Sequence, residues 1–316
     1  MANITLPTDF LERLERQLSA DEFATTLASF ERDACPAFRV NTTATTAEEV
    51  LPQLPEAHPI PWCPEAYRVA PEDRAALVSS RPFEQGHIYV QNAASFVPVV
   101  MLDPQPGETN LDLAAAPGGK TLHIASRMQN RGVLSAVEAV KSRFFRLKSN
   151  VDLAGADGLV RLYLKDGRRV GGACPEMFDR ILLDAPCSSE ARFDVRDAST
   201  FAHWGVKKVR EATRKQGGLL MSAIQALKPG GRLVYCTCSF APEENEGVVS
   251  RALRRTGDSL EVESITLPLP NVRPGLTKWK GKFIDPRMDR AIRVLPDDLC
   301  HGFFAVSLRK RTIEET

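Results

Sequence analysis

The chain has 316 residues, of which 43% are hydrophobic and 26% are charged, and its formal net charge is +1. This length allows one large domain or two ordinary ones, and the composition is that of a globular protein rather than a fibrous or disordered chain. The near-neutral charge does not by itself indicate a nucleic-acid-binding protein, and apolar runs such as 96–102 are too short to span a bilayer.

The N-terminal part predicts a small mixed α+β domain. Leu11, Leu14 and Leu18 recur at helical spacing, residues 21–32 predict a second helix, and residues 37–42 resemble a strand. Prolines then recur between 51 and 82, with short β-like pieces between them. We place the end of this domain at about residue 105.

From residue 107 onward, apolar strands alternate with amphipathic helices. This pattern predicts a Rossmann-like α/β domain over residues 106–316, with a parallel sheet covered by helices on both faces. Pro229-Gly230-Gly231 is expected to end a long helix and lead into the next strand. The predicted strands are 110–114, 132–137, 159–164, 180–183 and 232–235, and the predicted helices are 120–128, 141–152, 207–227 and 243–255.

A turn of small residues joins the first predicted strand to the helix that follows it. The turn is Ala114-Ala115-Ala116-Pro117-Gly118-Gly119-Lys120, and it lies at the carboxyl end of a strand, where such sheets bind cofactors. It is neither a P-loop nor a G-x-G-x-x-G sequence, so it does not predict phosphate binding. Taken alone, Pro-Gly-Gly could equally be a tight turn with no ligand.

Three acidic residues strengthen the case for a cofactor site, because each follows one of the predicted strands. Glu138 could accept hydrogen bonds from ribose hydroxyls, Asp166 could meet an adenine amino group, and Asp184 follows the fourth strand. Together with the turn, they suit S-adenosylmethionine, which carries a ribose and an adenine but no phosphate. We therefore expect S-adenosylmethionine as the cofactor, bound by residues 114–120, Glu138, Asp166 and Asp184.

Seven cysteines at irregular spacings, with no basic and apolar secretory segment at the N-terminus, indicate reduced thiols in a cytoplasmic protein. Cys236 and Cys238 could begin a zinc site, but no second cysteine or histidine pair completes it, so no metal is expected. Cys187 and Cys238 each follow a predicted strand on the cofactor side of the sheet. A small buried hydrophobic role is the alternative for either one alone.

Two cysteines beside an aspartate suit methylation of cytosine at C5. Carbon 5 is a weak nucleophile until a thiolate adds to C6, and a second thiol can assist release of the product. Either Cys187 or Cys238 could be the nucleophile on these grounds. Asp184 could hydrogen-bond the N3–N4 edge of the base, and a stacked base would first have to be flipped out.

Local groups of basic residues permit a surface that tracks phosphates, although each group alone could be a solvated helix face. The groups are Arg143, Arg146 and Lys148; Lys207, Lys208, Arg210, Arg214 and Lys215; Lys278, Lys280 and Lys282; and Arg309, Lys310 and Arg311.

These motifs resemble the NOL1/NOP2/Sun family of RNA cytosine-C5 methyltransferases. The resemblance rests on 114–120, on Asp184-Ala185-Pro186-Cys187 and on Thr237-Cys238-Ser239 with the following Pro242-Glu243-Glu244-Asn245-Glu246. Further matches are 39–42, 61–63, 89–95, 293–296 and 302–304, so nearly the whole chain is covered. The resemblance implies a seven-stranded, mostly parallel methyltransferase domain preceded by an RNA-binding domain.

The resemblance also implies roles for individual residues. Cys238 would be the nucleophile, Cys187 would aid product release, and Asp184 and Lys120 would lie at the base or cofactor. Ser189 stands where the family usually has glycine, which puts the geometry of that loop in question.

Within the family, the bacterial RsmF type is favoured by Ile60-Pro61-Trp62-Cys63 and by Pro175-Glu176-Met177-Phe178-Asp179, and it implies small-subunit (16S) ribosomal RNA as the substrate. RsmF-type enzymes usually carry a further C-terminal RNA-binding region, and this sequence ends at Thr316. Transfer RNA is therefore an alternative substrate. Two further alternatives are a non-catalytic RNA-binding ribosome-assembly factor and methylation of a small molecule. We expect the protein to be a monomer.

Overall fold

The computed structural model describes residues 5–312. Within that range it contains two larger β-sheets, one formed by the N-terminal part and one by the rest of the chain. The helices are α1 (Thr8–Glu15), α2 (Ala20–Ser29), α3 (Ala47–Val50), α4 (Arg74–Val78), α5 (Arg81–Glu84), α6 (Val97–Leu102), α7 (Gly119–Arg127), α8 (Lys141–Leu153), α9 (Val170–Ala173), α10 (Val206–Ala226) and α11 (Glu246–Thr256). The strands are β1 (Ala37–Val40), β2 (His58–Ile60), β3 (Cys63–Arg68), β4 (Ile88–Val90), β5 (Thr109–Asp112), β6 (Val133–Glu138), β7 (Val160–Leu164), β8 (Phe178–Asp184), β9 (Leu227–Thr237), β10 (Leu260–Glu263), β11 (Val272–Pro274), β12 (Lys278–Trp279), β13 (Lys282–Phe283), β14 (Ile292–Val294) and β15 (Phe303–Lys310).

The N-terminal sheet is antiparallel, with strand order β2-β3-β1-β4. All four residues of β1 are buried, because the sheet is covered on both faces. Phe38 and Val40 pack with Val50 and Leu77 of the short helices. On the opposite face, Arg39 donates a hydrogen bond to the Ser126 hydroxyl at 2.9 Å. This contact ties the N-terminal sheet to α7.

The main sheet has the order β11-β14-β15-β9-β8-β5-β6-β7, with β10 also paired to β15. The five strands from β9 to β7 run parallel, which confirms the predicted Rossmann-like α/β fold. Nine strands are present where seven were expected, since the long β15 pairs with β14 near one end and with β10 near the other. The short strands β10 and β11 are the additional ones.

Helices cover both faces of the main sheet. Side chains of α6, α7 and α8 pack on one face, and side chains of α10 and α11 pack on the other. Since α6 contacts β8 and β9, its residues belong to the core of the main sheet. The domain boundary near residue 105 stays a prediction.

Two predicted boundaries around β9 were wrong. Helix α10 ends at Ala226 and β9 begins at Leu227, so Pro229-Gly230-Gly231 lies inside the strand rather than ending the helix. Gly230 has a φ of +77°, and the register of β8 against β9 shifts between Phe178 and Arg180. This irregular pairing accommodates a proline and a left-handed glycine. The second wrong boundary is the start of α11, which begins at Glu246 rather than at 243.

An aromatic cluster joins the first two helices to loops of the main sheet. The ring centroids of Phe10 and Phe193 lie 4.9 Å apart, and those of Phe30 and Phe240 lie 6.3 Å apart. Trp204 packs on Phe10 at 5.6 Å. Phe240 lies two residues after Cys238, so the N-terminal helices help to support that loop.

A second contact between the N-terminal part and α7 is the Cys63 cluster, which consists of Cys63, Glu65, His123, Arg127 and Arg39. Glu65 lies 2.6 Å from His123 Nε2 and 2.8 Å from Arg127 Nε. Cys63, Glu65 and His123 could supply metal ligands, but two guanidinium groups share the cluster and would repel a cation. The cluster therefore functions as a structural contact between β3 and α7.

Among residues 5–312, none of the helices combines the length and the apolar character that a membrane span requires.

Candidate active site

A cavity of about 410 Å³ opens at the carboxyl ends of β8 and β9. We call it the cysteine cavity, because both Cys187 and Cys238 line it. Its other lining residues are Asn92, Ala94, Ser95, Ala116, Pro117, Lys120, Arg143, Arg146, Asp184, Ala185, Pro186, Ser189, Arg192, His301, Gly302 and Phe303. Parallel strands place their carboxyl ends at one sheet edge, which explains why residues distant in sequence meet here.

Lys120 and Asp184 form an ion pair inside this cavity. Lys120 Nζ lies 2.7 Å from Asp184 Oδ2 and 5.7 Å from the centroid of the Phe303 ring. Burial alone would lower the pKa of Lys120, but the neighbouring Asp184 carboxylate outweighs burial and raises it. Lys120 is therefore a fixed cation beside a carboxylate that keeps acceptor capacity for a ligand.

The two cysteine sulfurs lie 3.4 Å apart. Strands β8 and β9 are paired neighbours, with Asp184 opposite Cys236, so the loops that follow them start side by side. Cys236 lies on β9 itself, where it is buried with its sulfur 3.6 Å from Asp184 Oδ1, and it does not line the cavity. The cavity thus receives one cysteine from each loop.

The two thiols differ in acidity. The pKa of Cys238 is lowered to about 6, first because Cys187 hydrogen-bonds it and then because Arg192 lies nearby. The pKa of Cys187 is raised well above 9.0, by that same hydrogen bond, by burial and by the negative charges of Cys238 and Glu244. These opposite shifts favour Cys238 as the thiolate and Cys187 as the thiol of the pair.

The turn predicted to bind a cofactor begins α7, and Gly118 there has a φ of +112°. Gly119 is small for another reason, since a Cβ on it would lie 2.2 Å from Gln91 Oε1 of the N-terminal part. Beneath the turn, Asp112 Oδ2 accepts a hydrogen bond from Thr121, while its buried Oδ1 has no partner among residues 5–312. Burial raises the pKa of Asp112 to about 7.

Glu138 and Asp166 lie outside the cysteine cavity. Glu138 is buried at the end of β6, where it accepts a hydrogen bond from the backbone N–H of Val140 and lies 3.6 Å from Arg143. Asp166 follows β7 and is paired with Arg168 at 2.6 Å. Asp166 lines a separate, largely apolar cavity of about 640 Å³. From the predicted set, the cysteine cavity is lined by Ala116, Pro117, Lys120, Asp184 and both cysteines. The predicted residues that do not line it are Ala114, Ala115, Gly118, Gly119, Glu138 and Asp166.

Sequence reasoning missed several residues of the site. Arg192 has no motif around it, and no sequence signal would have found it. Glu244 belongs to the Pro-Glu-Glu-Asn-Glu motif, but the motif alone assigns it no role. It is buried and contacts the loop of Cys187. Ser189 has a φ of +58°, the left-handed region in which glycine is favoured.

Of the basic groups noted in the sequence, only the group on α8 contributes to the cavity. Arg143 and Arg146 line it and are exposed. Lys208 and Lys215 of α10 line a neighbouring cavity that also reaches Cys187. The rim of the site is therefore rich in cations.

Family models match most of the chain. The model described as 16S rRNA methyltransferase RsmB/F matches residues 99–309, and the model for the N-terminal domain of 16S rRNA methyltransferase RsmF matches residues 6–93. Two curated relatives are named ribosomal RNA small subunit methyltransferase F. The relative from Enterobacter sp. (strain 638) is 36% identical over 99% of this chain and 65% of its own length. The relative from Escherichia coli O6:H1 is 37% identical over 96% of this chain and 62% of its own length. The chain thus spans a little under two thirds of these relatives.

Solved structures agree on the fold. A methyltransferase homologue from Pyrococcus horikoshii superposes with a TM-score of 0.83 at 32% identity, covering 97% of this chain and 96% of the other. NSun6 from the same organism, solved with SFG, gives a TM-score of 0.79 at 21% identity, covering 97% of this chain and 99% of the other, and that likeness concerns the fold alone.

Proposed function

The chain belongs to the RsmB/F family of 16S rRNA methyltransferases, and from this premise we propose that it methylates C5 of a cytosine in small-subunit (16S) ribosomal RNA. The observation that carries the proposal is the pair of sulfurs 3.4 Å apart in one cavity, one with a lowered and one with a raised pKa. A thiolate beside a thiol suits addition to a base followed by release.

Cys238 is the proposed nucleophile. Its thiolate adds to C6 of the cytosine, and the displaced electron pair makes C5 nucleophilic. After C5 has taken the methyl group, its proton passes to solvent in the open cavity, the electron pair of that C–H bond re-forms the C5–C6 double bond, and the C6–S bond breaks to return the thiolate of Cys238. Cys187 keeps its proton. It assists release by donating an S–H hydrogen bond to the departing sulfur of Cys238, 3.4 Å away.

Asp184 and Lys120 orient the base in this proposal. A carboxylate can accept a hydrogen bond from the exocyclic amino group of cytosine, and Asp184 faces the same cavity as Cys238. The Lys120 ammonium donates a hydrogen bond to that carboxylate at 2.7 Å and so fixes its orientation.

S-adenosylmethionine is the proposed methyl donor, and it supplies an electrophilic methyl group on a sulfonium. The residues present fit it. Glu138 is buried at the end of β6, the strand paired with β5, and it can accept hydrogen bonds from ribose hydroxyls. The turn of residues 114–120 follows β5. Asp112 Oδ1 is a buried acceptor without a partner in the described chain, and Ala116 and Pro117 line the cavity. Asp166 remains the proposed contact for the adenine.

RNA as the substrate is supported by the rim of the cavity. Arg143 and Arg146 stand on α8, and Arg192 follows the Cys187 loop, so exposed guanidinium groups come from two elements. A cytosine flipped into a cavity brings its flanking phosphates to the mouth, where such groups can neutralise them. We also propose that the protein is a cytoplasmic monomer.

Release of tritium from C5-labelled RNA tests the proposal. With S-adenosylmethionine present, we expect release from naked or ribosome-assembled 16S RNA, and bisulfite sequencing should map it to one cytosine. Release from transfer RNA alone would instead identify the alternative substrate. A protein that binds 16S RNA but releases no tritium from any RNA would be a binding factor, and the proposal would be wrong.

A further inference from the structure

Two buried carboxylates connect the loop that carries Cys187 with the loop that carries Cys238. They belong to Glu190 and Glu244, whose exposed fractions are 1% and 0%. Glu190 follows Cys187 on the first loop, and Glu244 follows Cys238 on the second. A buried carboxylate is costly unless it is hydrogen-bonded, so its partners indicate what it does.

Glu244 reaches across to the residue after Cys187. Its Oε2 accepts a hydrogen bond from the backbone N–H of Ser188 at 2.9 Å, and its Oε1 accepts one from the Ser188 hydroxyl at 2.5 Å. Gln216 of α10 donates to Glu244 Oε2 at 2.9 Å and to the Pro186 carbonyl at 3.0 Å. The residues on either side of Cys187 are therefore both anchored.

Glu190 makes the reciprocal contact to the residues after Cys238. Its Oε2 accepts hydrogen bonds from the Phe240 backbone N–H at 2.8 Å and from the Ser239 hydroxyl at 3.0 Å. Trp204 Nε1 donates to Glu190 Oε1 at 2.9 Å. Each loop thus contributes a carboxylate that binds the residue following the cysteine of the other loop.

Ser239 is the point at which the two contacts meet. Its Oγ lies 3.0 Å from Glu190 Oε2 and 3.1 Å from Glu244 Oε1, and a hydroxyl has only one proton to donate. A proton on one of the two carboxyls would let both contacts with Ser239 be hydrogen bonds. Burial raises the pKa of both carboxyls, that of Glu244 to about 7.

We propose that Glu244 and Glu190 form a carboxylate clamp that sets the separation of Cys187 and Cys238. In this role they are positioning residues, which act through Ser188 and Ser239 and do not touch the substrate. The importance of the separation for methylation rests on the function proposed above, whereas the geometric role of the clamp does not. Displacement of a reacting group by about 1 Å can lower a rate about 100-fold.

Disulfide formation between the two cysteines measures the clamp without any RNA. Diamide oxidises two neighbouring thiols to a disulfide and is itself reduced to the hydrazine. Sulfurs 3.4 Å apart need to move little to reach the 2.05 Å of a disulfide bond, so the wild-type protein should react quickly. We expect Glu244→Gln to slow the reaction about 10-fold, because an amide cannot accept all the hydrogen bonds of the carboxylate.

Glu263→Gln is the matched control. Glu263 is also a carboxylate with several donors, Arg232, Arg309 and Ser307, but it is only partly buried and lies on β10, away from both cysteines. We expect it to lower the melting temperature and leave the disulfide rate unchanged. Equal slowing in both variants, or no slowing in a folded Glu244→Gln protein, would overturn the clamp.

Ser188→Ala is the milder variant, for use if Glu244→Gln does not fold. It removes the hydroxyl that donates to Glu244 and keeps the backbone N–H that also donates. The disulfide rate should fall in the same direction by a smaller factor, about 3-fold. An unchanged rate in Ser188→Ala would contradict the clamp.

Methylation then separates the clamp from the proposed function. We expect Glu244→Gln to lower kcat about 10-fold and leave the KM for RNA nearly unchanged, because the substrate does not touch the clamp. If the wild-type protein methylates no RNA while the disulfide rates follow the expected order, the function is wrong and the clamp stands. If the wild-type protein methylates RNA and the disulfide rate is unchanged in Glu244→Gln, the clamp is wrong and the function stands.

Discussion

The cysteine cavity and the Cys63 cluster contain similar groups and differ in what those groups can do. Both combine a cysteine with an acidic residue and arginine. In the cavity, the pKa of Cys238 is lowered to about 6. In the cluster, burial raises the pKa of Cys63 to about 12 and lowers that of His123 to about 3. The presence of a cysteine, an acidic residue and an arginine is therefore not enough to make a thiol reactive.

Access and pairing account for the difference. Glu65 already accepts hydrogen bonds from His123 and Arg127, so its acceptor capacity is used inside the cluster, and Cys63 is fully buried among these residues. Cys238 instead faces an open cavity, with Cys187 as a hydrogen-bond donor and Arg192 as an exposed cation. In the Cys63 cluster, the polar groups bind one another, whereas in the cysteine cavity they remain available to a ligand.

The largest expected effect comes from replacing the cysteines themselves. Cys238→Ala should abolish methylation and form no covalent RNA complex, because the nucleophile is gone. Cys187→Ala should accumulate a covalent complex in the presence of S-adenosylmethionine, since release is impaired. Cys63→Ala should keep its activity. Denaturing gels with labelled RNA distinguish the three, and an adduct that accumulates with Cys238→Ala instead would exchange the two roles.

The second largest effect is expected in alkylation, which should modify Cys238 in the cysteine cavity and spare Cys63 in the cluster. The rate of iodoacetamide reaction at Cys238 should rise with pH around a midpoint near 6, because only the thiolate reacts. Replacing Arg192 with glutamine should move this midpoint upward, since a nearby positive charge is lost. Cys63 should stay unmodified until the protein unfolds. Mass spectrometry of digests followed over a pH series makes the measurement, and early labelling of Cys63 would contradict the comparison.

Acid should lower the stability of the protein through the Cys63 cluster, and this effect should be smaller than the two before it. The pKa of His123 falls from 6.5 to about 3 on folding, so the unfolded chain binds more protons below pH 6.5. Stability is then lost as the pH falls from 6.5 toward 3, by at most about 1.4 kcal/mol per pH unit. Urea unfolding of wild type and His123→Gln between pH 7 and 4.5 tests this, and equal slopes in the two proteins would be the contrary result.

The smallest effect is expected at Ser189. A non-glycine residue in the left-handed region costs about 1 kcal/mol, so Ser189→Gly should stabilise the fold by at most that amount. The Ser189 hydroxyl also helps to lower the pKa of Cys238, and its loss should shift the alkylation midpoint slightly upward. Thermal unfolding and alkylation together check both signs. A destabilised variant would show that the serine contributes more through contacts than it costs through strain.

The parallel sheet and the meeting of Asp184, Cys187 and Cys238 could be predicted because both follow from order along the chain. Alternating strands and helices specify a parallel sheet, and parallel strands bring their carboxyl ends to one edge. Asp184 and Cys236 are register partners, so the loops that follow were bound to meet. That Cys238 would be the more acidic thiol did not follow from residue order.

What could not be predicted depends on contacts across the fold. Extending α11 back to residue 243 would have placed Glu244 on a helix, where nothing indicates a partner at Ser188. The actual start at Glu246 leaves Glu244 in a turn, from which it reaches the other loop. Arg192 acts on Cys238 only through its position in the folded chain, and sequence spacing contains no information about it.

The aromatic cluster of Phe10, Phe30, Phe193, Trp204 and Phe240 bears on how this protein can be divided. A fragment beginning near residue 105 would retain every proposed catalytic side chain and lose Phe10 and Phe30, which cover the loop after Cys238. The exposed face of Phe193 and Phe240 would then make such a fragment prone to aggregation. The segment after residue 105 can occur without the N-terminal part only if another protein segment covers Phe193 and Phe240. In laboratory fragments or natural fusions, residues 8–30 have to accompany the segment that carries both cysteines.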